Sequence, residues 1–405
     1  MTEELNRRSF LKLGLATTAA TSIASGAALE PVSQSLTGIN YVTLGRTGMR
    51  ISDISFGSSQ LRRGEEHLVN HAFERGINYF DTADSYTGVI SETVIGKALQ
   101  GKRDKVFIAT KTRSRAHSDA SFIMQSLEDS LRKLKTDYVD IFFNHAVNDL
   151  DRLRNPEWLE FSEIAKQQGK IRFTGMSGHA GNLTECVDYA VENEMFDVFL
   201  LSQNFGQDPA FYEQFTRSFD LVAKQPDLPA AMARAKAKNI GIIGMKVLRG
   251  ARLNDMRPFE KGGNTYAQAA FKWTLSTDYV DAAIVSMKSI ALIDEFLGTA
   301  RSRLVTKSDF ELLEQYARMT DLTYCRHACN DCESACPLQV PIADVLRTRM
   351  YAVDYNNLEF AKAEYRQLGD GASACLSCDG KPCQGACTHG ISIARYCGPT
   401  HVMLS

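Results

Sequence analysis

Three apolar segments of the chain each end on a side chain that can take part in acid–base chemistry. These side chains are Asp81, Lys111 and His145, and Tyr86 follows shortly after the first. If the segments are parallel strands joined by helices, their carboxyl ends bring the four groups to one opening. A carboxylate at the end of a buried strand is costly without a cation, so we expect a lysine beside Asp81. One polar strand end is common, but four groups at matching positions predict a catalytic site.

Strand and helix patterns alternate through most of the chain. Most strand segments are continuous apolar runs, which is typical of strands buried on both faces. The segments between them carry apolar residues at helical spacing. Eight such units in about 250 residues predict a (β/α)8 TIM barrel, whose reactive groups lie in the loops after the strands. The strand segments are 53–57, 78–83, 106–111, 138–145, 171–177, 197–203, 241–248 and 281–287.

An open, doubly wound sheet is the structural alternative to the barrel. That fold normally has a glycine-rich turn after its first strand, and the sequence around Gly57 and Ser58 is not that motif. Residues 41–54 predict a small hairpin ahead of the barrel. The connection 204–229 is long and rich in aromatic residues, so we expect it either to line the opening or to pack on the barrel wall.

The composition narrows the class of protein. The chain has 405 residues, 44% of them hydrophobic and 23% charged, which is enough for a large core and for two or more units. Its formal net charge of -2 gives no basic field, so a nucleic-acid partner is not expected. Nine of the ten cysteines lie from Cys325 onward. The chain therefore divides into a cysteine-poor body and a cysteine-rich tail.

Several motifs of the body resemble the aldo-keto reductase superfamily. They are Leu44–Gly48, Ile54–Gly57, Gly76–Tyr86, Ser91–Leu99, Lys111 and Tyr138–His145. The resemblance covers roughly residues 41–320 and implies a reductase domain at 38–322. It implies a small carbonyl or alcohol substrate, a nicotinamide cofactor, and a catalytic tetrad of Asp81, Tyr86, Lys111 and His145.

The chemistry of carbonyl reduction accounts for this tetrad. The reaction delivers a hydride to carbon and a proton to oxygen, and an unperturbed tyrosine is a weak acid at neutral pH. We expect the ammonium of Lys111 to lower the pKa of Tyr86 by stabilising the phenolate. Asp81 would keep the lysine charged. His145 would hydrogen-bond the carbonyl oxygen and orient it.

The resemblance also implies which residues bind the cofactor, NADP or NAD. In the family, residues equivalent to Ser177 and Gln203 hold the nicotinamide carboxamide. Gly178 stands where many members have asparagine, and Met245 stands where many have a stacking aromatic residue. Lys288 is one cation where the family often has two for the 2′-phosphate, which leaves the choice between NADP and NAD open. The expected cofactor-binding residues are Gly57, Ser58, Ser177, Gln203, Met245, Lys246, Leu248, Gly250 and Lys288.

The tail at 323–405 resembles a small, α-helical, two-cluster ferredoxin module. Its cysteines form two sets of four, the first closed by Cys-Pro, and the resemblance implies two iron–sulfur clusters, most simply 4Fe-4S. One gap in each set is longer than usual, which leaves the pairing of ligands open. Four disulfides or bound zinc are the alternatives. The cysteines are Cys325, Cys329, Cys332 and Cys336, then Cys375, Cys378, Cys383 and Cys387.

Residues 1–30 resemble a twin-arginine export signal. Arg7 and Arg8 precede a mild apolar stretch, Leu13–Ala24, that is too short for a stable membrane span. A disordered basic terminus is the alternative. The twin-arginine route carries folded proteins, so clusters assembled in the reducing cytoplasm can reach an oxidising periplasm intact. We therefore expect an exported or periplasmic protein.

Two hypotheses follow for the function. The first is an exported aldo-keto reductase-like oxidoreductase whose tail relays electrons between a bound nicotinamide and a redox protein partner. The second is an inactive barrel that serves as a binding or electron-transfer scaffold, with a tail held by disulfides or zinc.

Overall fold

The computed structural model describes most of the chain after residue 38. The described ranges are 39–147, 149–179, 182–206, 227–248, 255–261, 263–301, 303–320, 325, 331–353 and 358–405. The expected export signal at 1–30 lies outside them, as does most of the long connection 204–229. The predictions for those two segments therefore stay predictions.

Eight parallel strands close into a barrel, as the sequence predicts. The strand order is β10-β3-β4-β5-β6-β7-β8-β9, and β10 pairs with β3 to close the ring. Closure excludes the open, doubly wound sheet. The strands are β1 (Tyr41–Thr43), β2 (Arg50–Ser52), β3 (Ile54–Gly57), β4 (Tyr79–Asp81), β5 (Phe107–Thr112), β6 (Val139–Asn144), β7 (Ile171–Gly178), β8 (Val198–Ser202), β9 (Gly241–Met245) and β10 (Ala282–Ser286).

Helices surround the barrel and continue into the tail. Those of the body are α1 (Glu66–Glu74), α2 (Ser91–Ala98), α3 (Ala120–Leu134), α4 (Leu150–Arg154), α5 (Glu157–Gln167), α6 (Leu183–Glu192), α7 (Leu228–Ala237), α8 (Tyr266–Leu275), α9 (Ile290–Leu297) and α10 (Lys307–Thr320). Those of the tail are α11 (Ile342–Val353), α12 (Leu358–Arg366), α13 (Pro382–Ala386) and α14 (Ile393–Leu404). Within the described ranges, no helix is both long and apolar enough to cross a bilayer.

Helix α3 shows how local sequence determines where a helix begins and ends and which face it buries. Asp119 caps its first turn by accepting a hydrogen bond from the backbone N–H of Phe122, and Lys135 ends it in a left-handed conformation with φ of 54°. Ile123 and Leu127 lie on the buried face. Phe122 is 50% exposed and lies outside that buried face.

Alternate residues along the strands form two separate apolar layers. One layer, with Phe80, Ile108 and Phe142, also contains the apolar faces of the surrounding helices. The other contains Tyr79 and Ala109 and draws its remaining buried members from strands and the amino-terminal hairpin. This second layer therefore fills the interior of the barrel. The period-two alternation fixes which residues point inward.

The predicted amino-terminal hairpin is present and packs against one end of the barrel. Strands β1 and β2 pair antiparallel, with Val42 opposite Ile51. Gly45, at φ of 44°, sits so close to β9 that an added Cβ would lie 2.2 Å from the backbone nitrogen of Gly241. Leu44 and Ile51 join the interior layer from this side. The hairpin thus closes the end opposite the carboxyl ends of the strands.

The tail has a small core of its own and also packs against the body. Its core includes Val345, Ala361 and Ile393 together with several cysteines. Contacts with the body come from α11 and α12: Arg347 hydrogen-bonds His179 at 2.6 Å, and Glu364 lies 3.8 Å from Arg113. The helical pattern expected between the two cysteine sets is therefore present.

Candidate active site

The interior layer extends directly to the reactive side chains at the strand ends. Tyr79 and Ala109 point into the barrel, so period-two alternation carries Asp81 and Lys111 to the same interior face. On β6, Ile141 points inward and His145 follows at the same parity just beyond the strand. The structure thus brings together the groups that the sequence places at three separate strand ends.

Lys111 is the central group of this set. Its Nζ donates hydrogen bonds to Asp81 Oδ1 at 2.5 Å and to the carbonyl oxygen of Thr82 at 2.6 Å, and it lies 3.4 Å from the hydroxyl of Tyr86. The Asp81 and Lys111 side chains are 2% and 1% exposed. The lysine therefore connects a buried carboxylate to the phenol.

Burial and ion pairing act in opposite directions on the Asp81–Lys111 pair. Burial raises the pKa of Asp81 and lowers the pKa of Lys111, while the attraction between the two charges opposes both shifts. The contact between Lys111 Nζ and Asp81 Oδ1 shows that the two side chains form an ion pair. Asp81 Oδ2 has no hydrogen-bond partner among the described residues.

The pKa of Tyr86 shifts in the direction opposite to our prediction. Burial raises it well above its ordinary value, and the carboxylates of Asp81 and Glu364 raise it further. The expectation of a lowered pKa for Tyr86 is therefore wrong for this arrangement. Part of the ring still faces the cavity, but the surrounding protein atoms and negative charges outweigh the lysine. Tyr86 stays protonated at neutral pH, which is the form that donates a proton.

His145 completes the set as a neutral imidazole. Its ring packs edge-on against the ring of Tyr86, with the centroids 5.7 Å apart. Burial lowers the pKa of His145 well below its ordinary value, and the neighbouring cations Lys111, Arg113 and Arg152 lower it further. A neutral imidazole carries one N–H donor, which suits hydrogen bonding to a carbonyl oxygen.

Arg152 is a residue of the site that the sequence analysis missed. It lies on α4, and its guanidinium donates to the carbonyl oxygen of His145 at 2.8 Å and to that of Ala146 at 2.5 Å. It also reaches the Ser114 carbonyl oxygen at 2.7 Å and Asn144 Oδ1 at 2.9 Å. Arg152 thereby holds the backbone of His145 in place. No sequence motif marks it, because its four acceptors meet only in the folded barrel.

The four groups open into an elongated cavity, here called the catalytic cavity, of about 210 Å³. It runs along the carboxyl ends of the strands from Asp81 and His145 to Lys288. Seven of the nine expected cofactor-binding residues line it: Gly57, Ser58, Ser177, Met245, Lys246, Leu248 and Lys288. Gly250 lies outside the described residues.

The structure places Gln203 outside this lining. On β8 the inward-pointing residue is Leu200, so alternation turns Gln203 toward the helices. Its Nε2 donates to the Tyr279 hydroxyl at 3.1 Å, and its Oε1 has no hydrogen-bond partner among the described residues. Ser177 lines the cavity, and its Oγ accepts a hydrogen bond from the backbone N–H of Ala146 at 2.9 Å.

Lys246 places a titratable cation in the catalytic cavity. Burial, followed by the positive charge of Arg347, lowers its pKa to about 7. The residue has φ of 58°, a left-handed conformation that is unusual outside glycine. Such departures concentrate at functional sites. The local geometry thus holds an ammonium that changes charge near neutral pH.

Three side chains of the tail cover part of the catalytic cavity. Tyr351, Phe360 and Glu364 line it from α11 and α12. Phe360 packs against Tyr351, with ring centroids 4.9 Å apart. The catalytic cavity is therefore formed jointly by the body and the tail, which the sequence analysis did not anticipate.

The cysteines of the tail fall into two groups in space that do not follow the two sets in sequence. Cys325, Cys332 and Cys387 line one small cavity. In the other group, burial raises the pKa of Cys375, and Cys336, Cys383 and Cys378 raise it further. Cys336 therefore lies with the second set and Cys387 with the first. Cys329 lies outside the described residues.

Six of the described cysteines of the tail are free thiols in this structure: Cys336, Cys375, Cys378, Cys383, Cys387 and Cys397. The described residues contain no group of three or more histidine, cysteine or acidic side chains arranged to hold one metal ion. A single zinc ion needs its ligands to converge on one point, and the described thiols do not form such a group.

Comparison with known proteins shows the family to which the sequence is similar and supports the fold. A profile of the Aldo/keto reductase family matches residues 53–257. L-galactose dehydrogenase of Arabidopsis thaliana is 28% identical over 296 residues, which cover 64% of this chain and 88% of that protein. An uncharacterized oxidoreductase of Bacillus subtilis is 24% identical over 300 residues, or 68% and 95% of the two chains.

Solved structures show the same barrel. An aldo-keto reductase from Bacillus halodurans in its holo form superposes with a TM-score of 0.54 at 20% identity, covering 68% of this chain and 96% of that one. One from Klebsiella pneumoniae, in complex with NADPH, gives a TM-score of 0.53 at 21% identity, covering 69% and 95%. At these identities the likeness supports the fold.

Proposed function

Because this chain belongs to the aldo/keto reductase family, we propose that it is a nicotinamide-dependent oxidoreductase that reduces a small carbonyl compound or oxidises the corresponding alcohol. The observation that carries the proposal is the position of Lys111 Nζ, in contact with both Asp81 and the hydroxyl of Tyr86. This is the arrangement that a proton donor with a stabilised conjugate base requires. NADP or NAD is the proposed cofactor.

The residues of the catalytic cavity fit a dinucleotide. The cavity carries cationic side chains at Lys246 and Lys288, which suit phosphate groups, and it extends away from Tyr86 along the strand ends. An NADPH complex is known for the Klebsiella pneumoniae neighbour, which supports the same class of cofactor here. When bound, the nicotinamide supplies or accepts the hydride of the reaction. Lys246, Lys288 and Ser177 would hold the cofactor.

The side chains of the protein supply the proton and stabilise the charge that its transfer leaves on Tyr86. Tyr86, protonated at neutral pH, donates its proton to the carbonyl oxygen, and the developing phenolate lies next to the ammonium of Lys111. Asp81 balances that ammonium at the buried strand end. His145, as a neutral donor, hydrogen-bonds the carbonyl oxygen and directs it toward Tyr86. Arg152 keeps the backbone of His145 in position.

We further propose that the tail holds two iron–sulfur clusters. Thiolates are the ligands such clusters require, and each thiolate of a cubane binds a different iron, so the sulfurs need not converge on one point. The arrangement in space supports the pairing of Cys336 with the second set and of Cys387 with the first. One cluster would be held by Cys325, Cys329, Cys332 and Cys387, and the other by Cys336, Cys375, Cys378 and Cys383. Their chemistry is one-electron transfer.

Export through the twin-arginine route remains part of the proposal. It rests on Arg7 and Arg8 and the apolar stretch behind them. Outside the cytoplasm no free nicotinamide pool is expected, so the barrel would keep its dinucleotide bound. A redox protein that exchanges electrons with the tail is the proposed partner.

Turnover by protein purified anaerobically tests the function. We expect oxidation of NADPH or NADH in the presence of small aldehydes, and we expect Tyr86→Phe to lower kcat by about 10²- to 10⁴-fold while leaving nicotinamide affinity nearly unchanged. The same turnover in Tyr86→Phe would remove this residue from the mechanism. Failure to reduce any carbonyl or oxidise any alcohol would overturn the proposal.

A further inference from the structure

A second cavity lies between the body and the tail, beside the catalytic cavity. This interface cavity has a volume of about 280 Å³. Arg113, His179, Tyr351 and Glu364 line both cavities, so the two cavities are direct neighbours. A molecule whose reacting group lies at Tyr86 can therefore extend toward the interface cavity.

The interface cavity has an excess of positive charge. Four arginines line it, Arg113, Arg115, Arg152 and Arg347, against two acidic residues, Asp344 and Glu364. Arg347 forms an ion pair with Asp344 at 2.9 Å. The ion pair between Arg113 and Glu364 is longer, at 3.8 Å.

Neither of the remaining two arginines pairs with a carboxylate. Arg152 donates to carbonyl and amide oxygens only. The exposed side chain of Arg115 forms no hydrogen bond or ion pair with another described residue. Burial, followed by the positive charge of Arg113, lowers the pKa of Arg152 to about 10, as expected for a cation without enough counter-charge.

One donor in this cavity is buried and lacks an acceptor. The side chain of Arg347 is 7% exposed. Its Nη1 donates to His179 and Asp344, while its Nε has no hydrogen-bond partner among the described residues. A buried guanidinium N–H without an acceptor is unfavourable, and a bound oxyanion would satisfy it.

We propose that the interface cavity binds a carboxylate group of the substrate, so that the preferred substrate is a carbonyl compound that also carries an acid group. The planar carboxylate matches the two-pronged donor geometry of a guanidinium. This inference rests on the proposed function, because it takes the carbonyl group to lie at Tyr86. It adds the tail to the substrate-binding site through Arg347.

Two aldehydes of equal chain length test the proposal. Succinic semialdehyde and butanal both have four carbons and differ by the carboxylate. We expect the holoprotein to have a higher kcat/KM for succinic semialdehyde, and Arg115→Met to reduce that preference by about tenfold, the size expected for one charge-assisted hydrogen bond. Arg347→Met should reduce it as well. Arg132→Ala removes the same positive charge from a side chain that is 71% exposed on α3. This control variant should leave the preference for succinic semialdehyde unchanged.

Two outcomes would overturn the inference. One is an equal or lower kcat/KM for succinic semialdehyde, and the other is a preference that Arg115→Met leaves intact. Arg347 also contacts Asp344 and His179, so Arg115→Met, at an exposed side chain, is the deciding variant if Arg347→Met does not fold.

Calorimetric titration with succinate separates this inference from the proposed function. If the holoprotein turns over no carbonyl compound and no alcohol, the proposed function fails. Succinate binding that weakens in Arg115→Met would still support a carboxylate site in the interface cavity. Absence of succinate binding to the wild-type holoprotein, or binding that Arg115→Met does not weaken, would overturn it.

Discussion

The ring of Phe360, from the cysteine-rich tail, packs edge-on against the ring of Tyr86 in the barrel, with the centroids 6.5 Å apart. The two residues are far apart in sequence, yet they line the same catalytic cavity. Phe360 is only 5% exposed. It contributes to the low-polarity surroundings that raise the pKa of Tyr86. The tail is therefore part of the candidate active site.

Replacing Phe360 by alanine tests this contribution. Removing a buried phenylalanine costs about 3–5 kcal/mol in the free energy of unfolding. Water entering the space should let the pKa of Tyr86 fall toward its ordinary value, because burial is the main cause of its rise. The alkaline limb of the kcat/KM profile should then move to lower pH. Phe122→Ala, at a residue that is 50% exposed on α3, is the matched control and should leave the profile in place. An unmoved alkaline limb in Phe360→Ala would contradict this role.

The buried Asp81–Lys111 pair gives a prediction about stability and activity together. Lys111→Met leaves the Asp81 carboxylate buried without its cation, and breaking such a pair costs about 3–5 kcal/mol. The double variant Asp81→Asn with Lys111→Met removes both charges and should recover most of that free energy of unfolding. It should remain inactive, because Tyr86 lacks its ammonium neighbour.

Denaturant unfolding and turnover measure the two effects separately. Lys97→Met, at a half-exposed ion pair on α2, is the control and should change neither. Activity in the double variant near the wild-type level would show that Lys111 is structural only.

Cofactor affinity should depend on pH through Lys246. Its pKa is lowered to about 7, so the side chain is charged below that pH and neutral above it. Because a dinucleotide is anionic, its dissociation constant should rise as the pH rises through 7. Lys246→Met should bind more weakly below pH 7 and show a flatter pH profile. Fluorescence titration of NADPH at several pH values provides the measurement, with Lys261→Met as the control. A wild-type affinity that does not change with pH would rule out this role for Lys246.

The spatial grouping of the cysteines predicts which ligands share a cluster. Cys336→Ser and Cys378→Ser should each lower the iron content by the same amount, and the double variant should lose no more than either single one, because both act on one cluster. Cys332→Ser combined with Cys336→Ser should lose about twice as much, since these two belong to different groups. Iron analysis after anaerobic preparation distinguishes pairing by position in space from pairing by order in the sequence. If the pairing follows the sequence, the result is reversed: Cys336→Ser with Cys378→Ser loses about twice as much iron as Cys332→Ser with Cys336→Ser. Iron-free wild-type protein would exclude clusters.

Export is tested by changing the paired arginines at the amino terminus. Replacing Arg7 and Arg8 by lysine should leave folded protein in the cytoplasm, because the twin-arginine route depends on that pair. The adjacent pair Arg62 and Arg63, exposed in the body, gives a matched control when it is changed to lysine in the same way. Fractionation of cells followed by immunoblotting gives the result. Unchanged delivery of the Arg7→Lys, Arg8→Lys variant to the periplasm would refute the signal.

The barrel fold, and the strand ends at which the candidate catalytic groups lie, can be predicted from the sequence alone. Buried parallel strands favour continuous apolar runs, and the eight predicted strand segments, most of them such runs, coincide with the eight barrel strands. Because side chains alternate with period two, the strand positions of Asp81 and Lys111 also fix the direction in which they point. Both inferences rest on short-range regularities, which a sequence displays directly.

Tertiary structure alone decided the environment of those groups. The pKa of Tyr86 depends on burial under Phe360 and on the charge of Glu364, two residues that approach it only when the tail packs on the body. The same packing creates the interface cavity, and packing within the tail brings Cys336 to the second cysteine set. Burial and electrostatic shifts depend on every neighbour in space, whatever its distance along the chain. A local pattern therefore identifies the tyrosine, whereas the direction of its pKa shift follows from contacts that the pattern does not contain.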